Sequence, residues 1–280
     1  MFRKKEKIQL IIVVFTAFLL VLCLLVMKKT NLSLPVVSER ETSEPPKVET
    51  ISIVDPKGKT IDERFLLPDG FEREMGEEGS FGEWLRKRPL KEDGDRVHYY
   101  NGQEKASTNH AAVLDMELGK RDLQQCADSI IRLRAEFLRE QKRYDEIRFH
   151  FTNGFEASYD KWRRGSRIQV EGNQVRWTSS PSANGSEESF RRYLDMVFSY
   201  SGTISLEKEL TMRSAEELQI GDVFIFGGSP GHCVIVVDIA KNKKSGEVIF
   251  LVAQGFMPAQ EMHVLKNPES VEGSPWFSLD

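Results

Sequence analysis

The chain has 280 residues, about 40% of them apolar with 17 Phe and 4 Trp, which is enough for a packed core and excludes a wholly disordered protein. Its net charge of −4 divides unevenly: residues 1–29 carry six basic side chains against Glu6 alone, a net +5, and the remainder is net −9. An acidic remainder without a basic block argues against a nucleic-acid partner, because phosphate binding needs clustered Lys and Arg.

Ile8 to Met27 is broken only by Gln9 and Thr16. Twenty residues at 1.5 Å each match the hydrocarbon core of a bilayer, roughly 30 Å, so the run predicts a transmembrane helix. Four basic residues precede it and two follow. The positive-inside bias places residues 1–7 in the cytoplasm and the rest of a single-pass protein of the inner (cytoplasmic) membrane outside it. A cleaved signal peptide and a lipoprotein signal at Cys23 are the competing readings. Neither a small-x-small cleavage site nor a small residue before Cys23 supports them. Residues 28–50 are rich in Ser, Thr, Glu and Pro and predict a flexible linker, leaving 51–280 as a single exported domain.

Pro68-Asp69-Gly70 marks a turn, Ser80 to Arg86 a short helix, and Val97–Tyr100 and Ala111–Leu118 strands. The clearest helix opens at Asp122, with Gln125 completing a capping box. Leu123, Cys126, Ala127, Ile130, Leu133, Phe137 and Leu138 form its apolar stripe over about five turns. Ile147–Phe151 predicts a strand, Phe155–Arg164 a helix, and 167–170 with 175–178 a hairpin. Ser186 caps a further helix that stops at Gly202. Three β-runs follow, Val223–Phe226, His232–Asp238 and Val248–Gln254, joined by turns short enough to make them antiparallel. The expectation is an α+β domain of papain-like layout, helices first and an antiparallel meander last.

Cys126, in the first turn of its helix, meets free amides and the helix dipole, which favour thiolate. His232 opens a strand after a Gly-rich turn. A thiolate at a helix start facing an imidazole at a strand start, with a third polar group orienting the base, is the arrangement of a thiol hydrolase. Other readings of the same residues stay open. Cys126 lies on an apolar stripe, where buried free cysteine is common, and a disulfide to Cys233 is chemically allowed outside the cytoplasm. His232 can equally cap its strand. Alternation along the strand sets the readings against each other, since with His232 facing the helix Cys233 points away. His98, His110 and His150 lack paired ligand spacing, so no metal and no cofactor are expected.

The run GDVFIFGGSPGHCVIVVD resembles the corresponding segment of the NlpC/P60 and CHAP families, in which an earlier helix-start cysteine and a polar residue on the next strand complete a triad. The resemblance implies Cys126 as nucleophile, His232 as base and Gln254, in Ala253-Gln254-Gly255, as orienter. Gln125, Gly231 and Gln260 are the candidate substrate-binding residues. The acidic and amide pair usual in CHAP strands falls here on Ala253 and Gly255. The segments DLQQCADSIIRLRAEF, GDVFIFGGSPGHCVIVVD, FMPAQEMHVLKNP and SPWF also resemble a family of uncharacterised bacterial envelope proteins known only as a domain of unknown function. The second resemblance implies no activity; the NlpC/P60 and CHAP resemblance implies a cysteine amidase or peptidase, and the exported location points it to peptidoglycan or other envelope peptides. The alternative is a non-catalytic envelope binding or scaffolding domain of the same fold.

Overall fold

The chain's strongest β-forming stretch, eleven residues from His232 to Asn242, becomes the central strand around which the rest assembles. The computed structural model describes residues 53–74, 76–179, 183–270 and 273–279. In chain order the elements are α1 (Ile61–Arg64), β1 (Phe71–Arg73), α2 (Phe81–Arg86), β2 (His110–Val113), α3 (Cys126–Glu140), β3 (Arg148–His150), β4 (Glu156–Ser158), α4 (Tyr159–Arg163), β5 (Ser166–Glu171), β6 (Gln174–Ser179), α5 (Glu187–Tyr200), α6 (Thr203–Glu209), β7 (Val223–Phe226), β8 (His232–Asn242), β9 (Val248–Gln254), β10 (His263–Leu265) and β11 (Phe277–Ser278).

The main sheet runs β1-β8-β9-β10-β2, with β7 pairing the first half of β8 and β11 pairing β9. Every pairing in it is antiparallel. Side chains alternate along β8. Cys233, Ile235 and Val237 enter the large core with Ala127, Ile130 and Ile131 of α3, whereas Val236 joins a smaller cluster with Phe250 and Val252. A bulge between Val236 and Asp238 resets the alternation, so that Ile239 lies in the smaller cluster and Ala240 in the large one. Asp238, fully buried beside the bulge, accepts from Arg73 Nε and Arg86 Nε at 2.7 Å each. Two guanidiniums from β1 and α2 thereby satisfy a carboxylate that would otherwise be costly inside.

This architecture corrects the expected one. The fold is mixed α/β, dominated by an antiparallel sheet and carrying six helices among the described residues, rather than helices followed by a meander in a papain-like layout. Strands β1 and β2, from before α3, hold the two edges of the sheet, and the β3–β4 and β5–β6 hairpins interrupt the helices. A three-residue strand such as β1 has no readable period, and its pairing with β8 is decided by a distant partner. The Phe155–Arg164 run divides into β4 and α4, and Val97–Tyr100 forms only isolated bridges. Helix α5 ends at Tyr200 with Ser201 as its C-cap, and Gly202 is the N-cap of the next helix, α6. The predicted transmembrane helix at 8–27, with its flanks 1–7 and 28–50, lies outside the described residues. Among the described residues no helix is long and apolar enough to cross a membrane.

Candidate functional site

The N-cap of helix α3 lies three residues later than its sequence pattern suggests, at Gln125 instead of Asp122. The Asp122 carboxylate is occupied elsewhere, accepting from Gln125 Nε2 at 3.1 Å and from the Ala259 amide at 2.6 Å. Gln125, in extended conformation, becomes the N-cap, and its amide donates to Asp128 Oδ2 at 3.1 Å. Cys126 is therefore the first residue of the helix, where amides lack intrahelical acceptors and the dipole favours negative charge. Gly255, just past β9, lets the sheet approach this turn closely. A Cβ there would stand 2.8 Å from the Gln125 carbonyl oxygen and collide with Ser129 Oγ.

Opposite, the loop before β8 is equally tight. A Cβ on Gly231 would meet the Gly228 amide nitrogen at 2.7 Å and collide with Thr203 Oγ1. His232 follows and opens the strand. Its Nε2 donates to Gln254 Oε1 at 2.7 Å, and the Phe256 ring packs edge-on against the imidazole with centroids 5.0 Å apart. With Nε2 committed to Gln254, Nδ1 is the nitrogen left for sulfur, and Cys126 is the largest influence on the ring's titration.

The electrostatics follow from these contacts. The Cys233 thiol donates to Cys126 and is the largest influence holding the Cys126 thiol far below its usual range. Burial opposes this, while His232 and the Ala127 amide add to it. His232 is raised above the ordinary imidazole value by its bond to Cys126, then by Gln254, against burial. Cys233 is raised because its proton is held by the Cys126 sulfur, and so remains a thiol. The directions of these shifts favour thiolate at Cys126, a protonated ring at His232 and a thiol at Cys233. Both cysteines are free. Asp128, two residues on, is pushed up to about 8 by burial, with the nearby Cys126 charge adding to it. Its Oδ1 is buried without a partner.

A cavity of about 290 Å³ opens beside this centre, lined among others by Asp122, Gln125, Cys126, Asp128, Thr203 and Gly231. The structure thus brings Cys126, His232 and Gln254 together and places Gln125 and Gly231 on the cavity wall. Gln260 is elsewhere: it is buried, its Nε2 donates to Pro258 O at 3.3 Å, and it does not line the cavity. Sequence reasoning brought Cys233 to Cys126 only as a disulfide partner, where both are free cysteines, and it missed Asp128. Cys233 and His232 both act on Cys126, contrary to simple alternation, and Asp128 completes the capping box of the helix that Cys126 opens. The spacing from Gln125 to Asp128 is that of a capping box and was legible. Among the described residues no group of three or more His, Cys, Asp or Glu side chains is placed to hold a metal ion.

A cysteine, a histidine and an amide meeting where a helix start abuts an antiparallel sheet define the class of site. The chain belongs to the family described as Domain of unknown function (4846), whose model matches residues 61–280. No curated protein and no solved structure matches it. The NlpC/P60 and CHAP likeness is not shown by these comparisons, so any activity has to be argued from the site.

Proposed function

We propose that this domain is a thiol hydrolase of amide bonds. The observation that carries the reading is the His232 imidazole held between Cys126 on one side and Gln254 Oε1, 2.7 Å away, on the other. In the reaction the Cys126 thiolate attacks the amide carbon and forms a C–S bond, while first-turn amides of α3 offset the charge gathering on the carbonyl oxygen. His232 gives its proton to the leaving nitrogen as the C–N bond breaks, leaving a thioester and a free amine. The neutral imidazole then takes a proton from water, which attacks the thioester and releases the acid. Gln254 keeps the ring in place throughout, and the chemistry uses no cofactor.

The cavity bears on the substrate. Asp122 and Asp128 line it and no Lys, Arg or His does, which suits a neutral or amine-bearing segment of a peptide rather than an anionic one. An envelope peptide as substrate is supported by the apolar run 8–27 and its basic flank, which speak for a site of action outside the cytoplasm. One observation favours the second reading, a non-catalytic envelope binding or scaffolding domain: Cys126 is only 5% exposed, while Phe226 beside His232 is 70% exposed.

Iodoacetamide labelling of the native protein from pH 5 to 9, mapped by mass spectrometry, tests the proposal. The expected result is selective modification of Cys126 at a rate that stays level through pH 6–9, because the thiolate is already formed, together with hydrolysis of a peptide amide that Cys126→Ala abolishes. A Cys126 that labels only after denaturation would overturn the hydrolase and leave the binding domain.

A further inference from the structure

Behind the imidazole the hydrogen bonds continue. Gln254 and His263 are directly paired across β9 and β10, and Gln254 Nε2 lies 3.3 Å from His263 Nε2. His263 is fully buried, and its Nδ1 lies 2.8 Å from the backbone oxygen of Glu261. A carbonyl oxygen only accepts, so His263 Nδ1 carries a proton and donates. His263 Nε2, if bare, accepts from the Gln254 amide nitrogen. That leaves Gln254 Oε1, an acceptor, facing His232. The direction of every bond from Glu261 to Cys126 is then set by one backbone carbonyl at the far end.

The two ends of a glutamine amide have nearly the same shape, so only their partners decide which faces which way. The distinction matters at His232. An imidazolium has two N–H groups and needs an acceptor for each, and Cys126 supplies one and Gln254 Oε1 the other. With the amide turned over, its NH₂ would face the Nε2–H of His232, donor against donor. The imidazolium would lose support, and with it the thiolate.

We propose that His263 is a positioning residue, one that fixes the orientation of the Gln254 amide and so holds His232 in the form that pairs with the Cys126 thiolate. The inference rests on the site proposed above but not on its activity. The surroundings of His263 keep its ring neutral, as the role demands. It is fully buried, Lys105 and the His110 ring, 6.1 Å away, disfavour a second positive charge, and only Glu261 opposes them; the balance lowers its titration to about 4. A doubly protonated His263 would have no acceptor to offer and would turn the amide over.

The test uses the full chain and two readouts that need no substrate. The first is the ¹⁵N–¹H correlation spectrum of the histidine rings in the unmodified protein at pH 7. A His263 protonated at Nδ1 and bare at Nε2 is expected, and a His263 with its proton on Nε2 overturns the proposal. The second is the pH midpoint of Cys126 alkylation by iodoacetamide in a rescue series. His263→Met removes the acceptor and should raise the midpoint by about one pH unit, lowering the rate about tenfold on the acid side of it. Gln254→Glu, added to His263→Met, has no NH₂ to misdirect and should restore the midpoint. A purely structural role for His263 predicts an unchanged midpoint and no rescue, with only the melting temperature altered. The midpoint shift with rescue, in a protein that hydrolyses no peptide amide, would uphold the positioning and refute the hydrolase; the reverse pattern would do the opposite.

Discussion

Asp128→Asn isolates the most unusual titration in the site. In the folded protein the carboxyl is 6% exposed, its Oδ1 has no partner, and burial lifts it from 3.8 to about 8. The folded state therefore holds a proton that the unfolded chain has released at every pH between those values. Stability from this group is complete below 3.8, falls by about 1.4 kcal/mol per pH unit above it, and levels off beyond 8. At pH 7 the accumulated cost is about 4 kcal/mol. Asparagine keeps an oxygen to accept from the Gln125 amide but takes up no proton. The variant should accordingly gain on the parent by about 3 kcal/mol between pH 5 and pH 7.5. Urea unfolding followed by tryptophan fluorescence across that range measures the gain. The difference between the two proteins is the quantity to read, because His263, lowered to about 4, costs the parent stability as pH falls through 6.5 toward 4, a trend of opposite sign common to both. A gap that does not change with pH would mean that Asp128 is ionised in the folded state, and would refute the reasoning. In a Cys126→Ala background the gap should shrink, since the thiolate charge is one of the things raising Asp128.

Two other substitutions probe the frame that holds the site. Asp238→Asn leaves the guanidiniums of Arg73 and Arg86 without their shared anion, and should cost about 3–5 kcal/mol in guanidinium chloride unfolding; a loss below about 1 kcal/mol would show the buried cluster to be dispensable. Gly255→Ala drives a methyl toward the Gln125 carbonyl and Ser129 Oγ, pushing the first turn of α3 off the sheet. It should destabilise by about 1–3 kcal/mol and slow iodoacetamide labelling of Cys126, and an unchanged labelling rate would disconnect that contact from the geometry of the sulfur.

What could be read from the sequence follows the range of the forces involved. The hairpin β5–β6, the helix capped by Ser186 and the run β7–β8–β9 are set by local pattern and turn chemistry, and they stand near where the pattern puts them. Cys126, His232 and Gln254 were legible because a helix start, a strand start and a strand end are local signals too. Strands β1 and β10 were not, and of the predicted strand Ala111–Leu118 only the start falls in β2. Each is three or four residues long, and β2 and β10 pair with each other across about 150 residues of chain. Gln260 looked like a cleft residue because it sits in a polar loop. Its neighbour in the fold is Tyr99, through an isolated bridge that no spacing announces.

The contact between Cys126 and both His232 and Cys233 shows where alternation stops being a guide. Within β8 the rule holds: Cys233, Ile235 and Val237 face α3, and Val236 faces the other cluster. Cys233 thus meets Cys126 from the sheet face, as the core side of the strand requires. His232 has the opposite parity and would be expected to point away. It is the first residue of the strand, however, with the Gly-rich loop behind it rather than a further strand residue, and its ring is directed by Gln254 instead of by the pleat. A helix terminus that abuts the end of a sheet is reached both over the face and around the edge. Two adjacent residues can then share one sulfur, the thiol as a donor that lowers its pKa and the imidazole as its counter-ion. The residue that the pleat sends inward, Cys233, is thus the largest influence on the Cys126 sulfur, while His232 at the strand end is held by Gln254 and stands outside the cavity lining.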